Sequence, residues 1–241
     1  MTESEWLNSV NSLEMLYFLH SNSGRAKLRK LVTRERCERK LRLFLTECCR
    51  RIWPLISDER SRRAVAVVEQ YVDGSASREE LELAHAEAAA AYADVRRTAD
   101  ATDYCAASPP VEASRFNFHK AFDISIYGAD VATMAPATRQ NGPPNYDEGV
   151  RCQERAVQAD FLRDIFNNPF RKAAFDDQSF TSTVVALARQ MYDSHDFGMM
   201  PVLADALEEA GCNDLAILFH CRGTGSHVRG CWVVDLIMGK K

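Results

Sequence analysis

The C-terminal stretch from Met199 to Lys241 is rich in residue types that can bind a metal ion. It contains three of the eight cysteines and two of the six histidines of the chain, namely Cys212, His220, Cys221, His227 and Cys231. Thiolate sulfurs and imidazole nitrogens are the usual ligands of tetrahedral zinc. The stretch lacks a C-x2-C pair, however, and the adjacent His220 and Cys221 must point in different directions from a helix. We therefore favour buried cysteines without a metal, and we keep a structural zinc site as an alternative.

A glycine-rich turn, RGTGSH at residues 222–227, lies between two apolar runs of this stretch. The backbone N–H groups of this turn could bind an anion, and a helix predicted to begin near Ser226 would direct its positive N-terminal end at the same place. The side chains of Arg222, His227 and Arg229 would add positive charge. A tight turn that simply needs two glycines explains the same pattern and is our preferred interpretation. Arg222, His227 and Arg229 are nevertheless candidate binding residues.

Four residues separate Arg222 from His227. This pair resembles the Arg-x4–6-His motif of the HEPN helical ribonucleases. The resemblance implies acid–base and phosphate-stabilising roles for the two side chains. The match covers a handful of residues, and Gly223 stands directly after Arg222, where those nucleases usually have a polar residue. Arg222 and His227 are thus the candidate catalytic residues of an alternative hypothesis, a surface arginine and a loop histidine being the simpler explanation.

Four longer passages carry a second resemblance. They read TESEWL, LRLFLTECCRRIWPLISDERSRRAVAVVEQYVDG, AVQADFLRDIFNNPFR and HCRGTGSHVRGCWVVDLIMGKK. Together they resemble a protein family of planctomycete bacteria with a C-terminal signature of the type HCRGxGxHxRGCWVVDL. The resemblance covers most of the chain outside residues 105–145, where the relatives tend to continue an alanine-rich helix. It implies no particular activity and assigns no residue a role.

Residues 25–63 form the most strongly charged part of the chain. They contain fourteen lysines and arginines but only five acidic residues, whereas the whole chain has a net charge of −4. Such a segment can bind nucleic acid or an acidic partner, or it can pair with acidic helices of the same chain. An apolar stripe at helical spacing predicts that the basic side chains mostly cover a solvated helix face. Four basic residues of this segment are candidate binding residues: Arg34, Arg36, Arg39 and Lys40.

Composition favours a globular cytosolic protein, and the resemblance implies a bacterial one. Hydrophobic residues make up 46% of the chain, which is enough to build a core. No apolar run is long enough to cross a membrane, and the N-terminal residues lack the pattern of a signal peptide. We therefore expect no membrane association, and we expect reduced cysteines.

Helical periodicity and capping residues recur along most of the chain. They predict an all-α fold, a single-domain multi-helix bundle that spans residues 1–241. Residues 105–145 break this pattern and contain five of the eight prolines. We expect an irregular, loop-rich central insertion there, in which residues 122–126 can form one short strand.

The chain has no phosphate-binding loop, no nucleophile-elbow motif and no metalloprotease motif. This favours a non-enzymatic protein without a cofactor. The leading hypothesis is a cytosolic interaction or adaptor protein that meets a protein partner through the basic segment 25–63 or the central insertion. The alternatives are a nucleic-acid-binding protein or ribonuclease that uses Arg222 and His227, and a structural zinc protein.

Overall fold

The computed structural model describes residues 1–21, 34–98, 101–115, 148–171 and 180–240. These residues form eleven α-helices and one 3-10 turn and contain no β-strand, so the fold is all-α, as the sequence predicts. The helices are α1 (Glu3–Asn8), α2 (Ser12–His20), α3 (Arg34–Arg51), α4 (Glu59–Val72), α5 (Arg78–Thr98), α6 (Ala101–Ser114), α7 (Glu148–Phe166), α8 (Ser182–Ser194), α9 (Met200–Glu209), α10 (Leu215–Arg222) and α11 (Trp232–Ile237). No helix in these ranges has the length and apolar character needed to cross a lipid bilayer.

Local sequence signals determine several helix ends. Thr2 and Glu5 form a capping box at the start of α1, in which each side chain accepts a hydrogen bond from the other's backbone N–H. Asp214 accepts a hydrogen bond from the N–H of Ala216 at the start of α10. Gly211 follows α9 with a φ of +89°, a left-handed conformation that favours glycine. The types and spacing of Thr2, Glu5 and Gly211 predict two of these ends, and both are confirmed. For the start of α10 the sequence offers Asn213 or Asp214, and the structure has Asp214 as the cap.

The predicted start of the central insertion is wrong. Residues 105–114 belong to helix α6, although Pro109 and Pro110 each remove a backbone N–H from it. Packing holds this helix in place, since Val111 is buried against alanines of α4 and α5. Tertiary packing thus outweighs the low helix propensity of proline. Most of the insertion, including the strand predicted at residues 122–126, lies outside the described residues.

Two large hydrophobic clusters fill the interior of the described chain. The first, which we call the N-terminal core, combines α1, α2, α3 and α7 with parts of α4–α6 and includes Trp6, Phe44 and Leu162. The second, the C-terminal core, is built from α8–α11 and includes Met191 and Trp232. The candidate site lies between these two cores.

Charged and polar side chains connect the two cores. Arg39 of α3 forms a salt bridge with Asp235 of α11, and it donates a hydrogen bond to the Tyr192 hydroxyl at 3.1 Å. Asp73, at the end of α4, accepts hydrogen bonds from Tyr192 and Arg229. The side chains of Arg39 and Asp235 are only 8% and 6% exposed. Buried ion pairs therefore contribute to the joint between the cores.

The expectation of a solvated basic face on residues 25–63 is wrong for Arg39 and Lys40 of α3. Arg39 is buried in the ion pair, and Lys40 donates a hydrogen bond to a backbone carbonyl of α7. Pairing with an acidic residue of the same chain, the other explanation of the charge excess, applies to Arg39, whereas the partner of Lys40 is a backbone carbonyl. Neither is available to bind a partner as a solvated surface cation. The side chains of Arg34 and Arg36 lie outside the described residues.

Candidate metal centre

Helix α7 places a carboxylate inside the protein. Asp164 lies in the last turn of α7, and its side chain is 3% exposed because Leu162 and Ile165 carry this part of the helix into the N-terminal core. The backbone N–H of Val228 donates a hydrogen bond to Asp164 Oδ2 at 2.9 Å. A negative charge near the C-terminal end of a helix is electrostatically unfavourable. Its burial there must be offset by other polar groups or by a cation.

Helix α10 brings an imidazole to this carboxylate. Ile217 and Cys221 are buried in the C-terminal core and so orient the helix. The neighbouring His220 lies at the edge of that core, with its side chain 19% exposed. His220 Nε2 lies 3.1 Å from Asp164 Oδ1 and 3.2 Å from Cys231 Sγ.

The loop between α10 and α11 supplies the other two side chains. Val228 of this loop is buried in the N-terminal core. Gly230 adopts a φ of +95° against α3, where an added Cβ would come within 2.8 Å of Leu43 Cδ1. These two contacts fix the path of the loop on the N-terminal core, and they place His227 and Cys231 beside Asp164.

Four side chains therefore converge, and we call Asp164, His220, His227 and Cys231 the four-residue cluster. One potential ligand atom of each lies within 4.8 Å of all the others. His227 Nδ1 lies 2.8 Å from Asp164 Oδ1, and the Cys231 Sγ lies 4.0 Å from His227 Nδ1. A tetrahedral zinc ion separates such ligand atoms by about 3.3–3.6 Å. Small side-chain shifts would thus place all four atoms around one ion.

The same geometry argues against a catalytic Cys-His-Asp relay. In such a relay the histidine uses one ring nitrogen for the nucleophile and the other for the carboxylate. Here His220 directs a single atom, Nε2, at both Cys231 and Asp164. Cys231 is also completely buried, which keeps its sulfur away from a substrate. Ligand atoms that converge on one point, as these do, are typical of a metal site and not of a catalytic relay.

Burial and hydrogen bonding act differently on the two acidic members of the cluster. Burial tends to raise the pKa of Asp164, but hydrogen bonds from His220 and His227 outweigh burial and lower that pKa. Burial raises the pKa of the Cys231 thiol well above its ordinary value. A bound metal ion reverses this preference, because a coordinating thiol is deprotonated. Zn²⁺ with one carboxylate, one thiolate and two neutral imidazoles has no net charge, which suits a buried position.

Of the five cysteine and histidine residues that the sequence offers as zinc ligands, the structure brings three together. His220, His227 and Cys231 belong to the four-residue cluster, whereas Cys212 and Cys221 do not. Cys221 faces the C-terminal core, where burial raises the pKa of its thiol to about 12. The adjacent His220 and Cys221 thus point in different directions, as their helical spacing requires.

The fourth member of the cluster, Asp164, is not apparent from the sequence. This residue is distant in sequence from the C-terminal stretch and belongs to no motif. Its one local signal is the acidic side chain among apolar residues in the last turn of a predicted helix, in the segment AVQADFLRDIF. That signal marks an unusual residue but does not identify its partners.

The structure does not assemble the predicted ribonuclease pair or the anion pocket. Arg222 forms salt bridges with two acidic residues of α9, whereas His227 is 8% exposed and bonded within the four-residue cluster. No helix begins near Ser226, because α11 starts only after Cys231. Arg229 donates a hydrogen bond to Asp73. The side chains of Arg222, His227 and Arg229 therefore have separate partners and do not surround one anion.

Comparisons of the chain with protein-family models, with curated proteins and with solved structures found no significant match. The resemblance to planctomycete proteins therefore stays a prediction. Without a matching relative, the class of the protein is defined by its fold and its site alone. It is an all-α protein with a buried cluster of one aspartate, two histidines and one cysteine.

Proposed function

We propose that the protein binds one zinc ion through Asp164, His220, His227 and Cys231, and that this ion has a structural role. The observation that supports the proposal is the convergence of four ligand atoms, from three separate segments of the chain, on one largely buried point. Protein side chains occupy all four positions in closed structural zinc sites, and catalytic sites keep one position open. A cluster of four protein ligands is therefore suited to a structural ion.

The position of the cluster indicates what the ion would stabilise. Asp164 belongs to α7, which packs in the N-terminal core, whereas His220 belongs to α10 of the C-terminal core. His227 and Cys231 lie on either side of Val228, which is buried in the N-terminal core. A zinc ion would cross-link elements of the two cores at an interface rich in ion pairs. The free energy of metal binding would then contribute directly to folding.

A structural zinc ion is compatible with the leading hypothesis from the sequence. In a non-enzymatic interaction protein the ion would maintain the fold, while a separate surface would meet the partner. The protein partner and the cytosolic location stay predictions.

Elemental analysis of protein purified without added metal tests the proposal. We expect about one zinc ion per wild-type chain, as for other structural sites. Cys231→Ser and Asp164→Asn should lose the ion, because each removes a strong ligand. Cys212→Ser is the matched control, since Cys212 lies in the same C-terminal stretch but outside the four-residue cluster. It should retain zinc.

Two results would contradict the proposal. The first is wild-type protein that contains no metal and takes up no zinc when zinc is added. The second is Cys231→Ser with the zinc content of the wild type. The four side chains would then form a metal-free hydrogen-bond network, in which Asp164 accepts hydrogen bonds from both imidazoles and from the N–H of Val228.

A further inference from the structure

A pocket of about 350 Å³ adjoins the proposed zinc site. Its lining residues are Glu47, Arg50, His195, Phe197, His227, Val228 and Arg229. The two guanidinium groups are already bonded to carboxylates, Arg50 to Glu69 and Arg229 to Asp73. The carboxylate of Glu47, by contrast, has no hydrogen-bond or ion-pair partner among the described residues.

His227 presents its two ring nitrogens to different surroundings. Nδ1 lies 2.8 Å from Asp164 Oδ1, inside the four-residue cluster, so Nε2 on the far side of the ring points away from it. Nε2 is buried and has no hydrogen-bond partner among the residues that the structure describes. A neutral histidine that binds a metal through Nδ1 carries its proton on Nε2. Metal-binding histidines almost always donate that proton to a carboxylate, a carbonyl or a water molecule.

We propose that Glu47 is this acceptor: in the zinc-bound protein its carboxylate accepts, directly or through one water molecule, a hydrogen bond from Nε2–H of His227. Glu47 and His227 line the same pocket, and Glu47 lies close enough to Asp164 for the two charges to interact. The inference rests on the proposed zinc site. It adds a positioning residue from α3, a helix that supplies no ligand.

The surroundings of Glu47 agree with this role. Burial, with a smaller contribution from the charge of Glu69, raises the pKa of Glu47 to about 7. A half-buried carboxylate such as that of Glu47 is stabilised by a nearby donor, and Arg50 directs its donors to Glu69. The N–H of a metal-bound His227 would provide such a donor. In return, the carboxylate would fix the imidazole ring and make it a more basic ligand.

Zinc affinity of the full-length protein, measured by competition with a chromophoric chelator, tests the inference. We expect Glu47→Ala to bind zinc about 10–100-fold more weakly than the wild type, the usual effect of losing such a partner. Glu47→Gln should lose less, because its amide oxygen can still accept the hydrogen bond without supplying the charge. Glu59→Ala is the control, since Glu59 is 79% exposed on α4, outside the pocket lining, and it should match the wild type.

Solvent exchange of the His227 Nε2–H proton, measured by NMR on zinc-loaded protein, separates this role from general stabilisation. The proton should exchange slowly in the wild type and faster in Glu47→Ala. Unchanged affinity and unchanged exchange in Glu47→Ala would overturn the role of Glu47 and leave the zinc site intact. Failure of the wild-type protein to bind zinc would overturn both proposals.

Discussion

At the scale of single residues, neighbours that are not ligands fix the atoms of the proposed zinc site. The N–H of Val228 holds Asp164 Oδ2, which leaves Oδ1 to face the two imidazoles. Gly230 allows the same loop to pass close to Leu43 of α3. The site thus depends on a loop whose path is set by packing against the N-terminal core.

Gly230→Ala should lower the free energy of unfolding by about 2–4 kcal/mol, because it combines an unfavourable positive φ with overpacking against Leu43. Urea denaturation of zinc-loaded protein measures the change. Gly211→Ala is the matched control, since Gly211 has a φ of +89° and open space around its Cβ position. It should lose only about 1–2 kcal/mol. Equal losses in the two variants would show that the contact with Leu43 costs nothing.

At the scale of elements, helix α11 is attached to α3 by a buried ion pair. Helix α11 has six residues and α10 has eight, and helices of that length are not stable alone in water. Packing and side-chain contacts must therefore maintain both. The pair between Arg39 and Asp235 is one such contact, and the four-residue cluster is another.

Asp235→Ala should lower the free energy of unfolding by about 3 kcal/mol, because it leaves the buried charge of Arg39 without its main partner. Asp205→Ala provides the comparison, since Asp205 is 67% exposed in its salt bridge with Arg222. It should cost less than about 1 kcal/mol. Urea denaturation of both variants checks the prediction. A small effect of Asp235→Ala would mean that other groups compensate Arg39.

At the scale of the whole molecule, the described chain has two cores with a polar joint between them. Salt bridges and hydrogen bonds of Asp73 and Arg39 cross this joint, and the proposed zinc ion would be bound at it. An ion at this position would stabilise the contact between the cores more than either core alone. Its removal should therefore act locally.

Removal of zinc with a chelator should speed amide hydrogen exchange in α10, α11 and the loop between them. The reason is that these short elements lose their link to α7. Exchange in α4 and α5 should change little, because neither helix supplies a ligand and the two also pack against each other in an alanine-rich cluster. Hydrogen exchange with mass spectrometry, before and after chelation, measures both regions. An equal increase everywhere would contradict a local role for the ion.

The sequence by itself determined the helical class, several helix ends and part of the site. Apolar spacing and capping side chains are local features, so Thr2 and Gly211 identify helix ends without knowledge of the tertiary structure. The same signals limit the cap of α10 to Asn213 or Asp214, and the structure has Asp214. The C-terminal stretch also revealed three members of the cluster by residue type. It did not distinguish them from Cys212 and Cys221, because spacing along a chain does not specify a meeting point in space.

Only the tertiary structure decided which residues meet. Asp164 joins the cluster because α7 packs in the N-terminal core, and that same core holds the loop through Val228. The charge pattern that predicts a solvated face instead provides Arg39 as a buried partner of Asp235. Each of these outcomes depends on the approach of segments far apart in sequence. No local sequence pattern contains the packing energies of such distant segments. The tertiary structure can therefore differ from what a local pattern predicts.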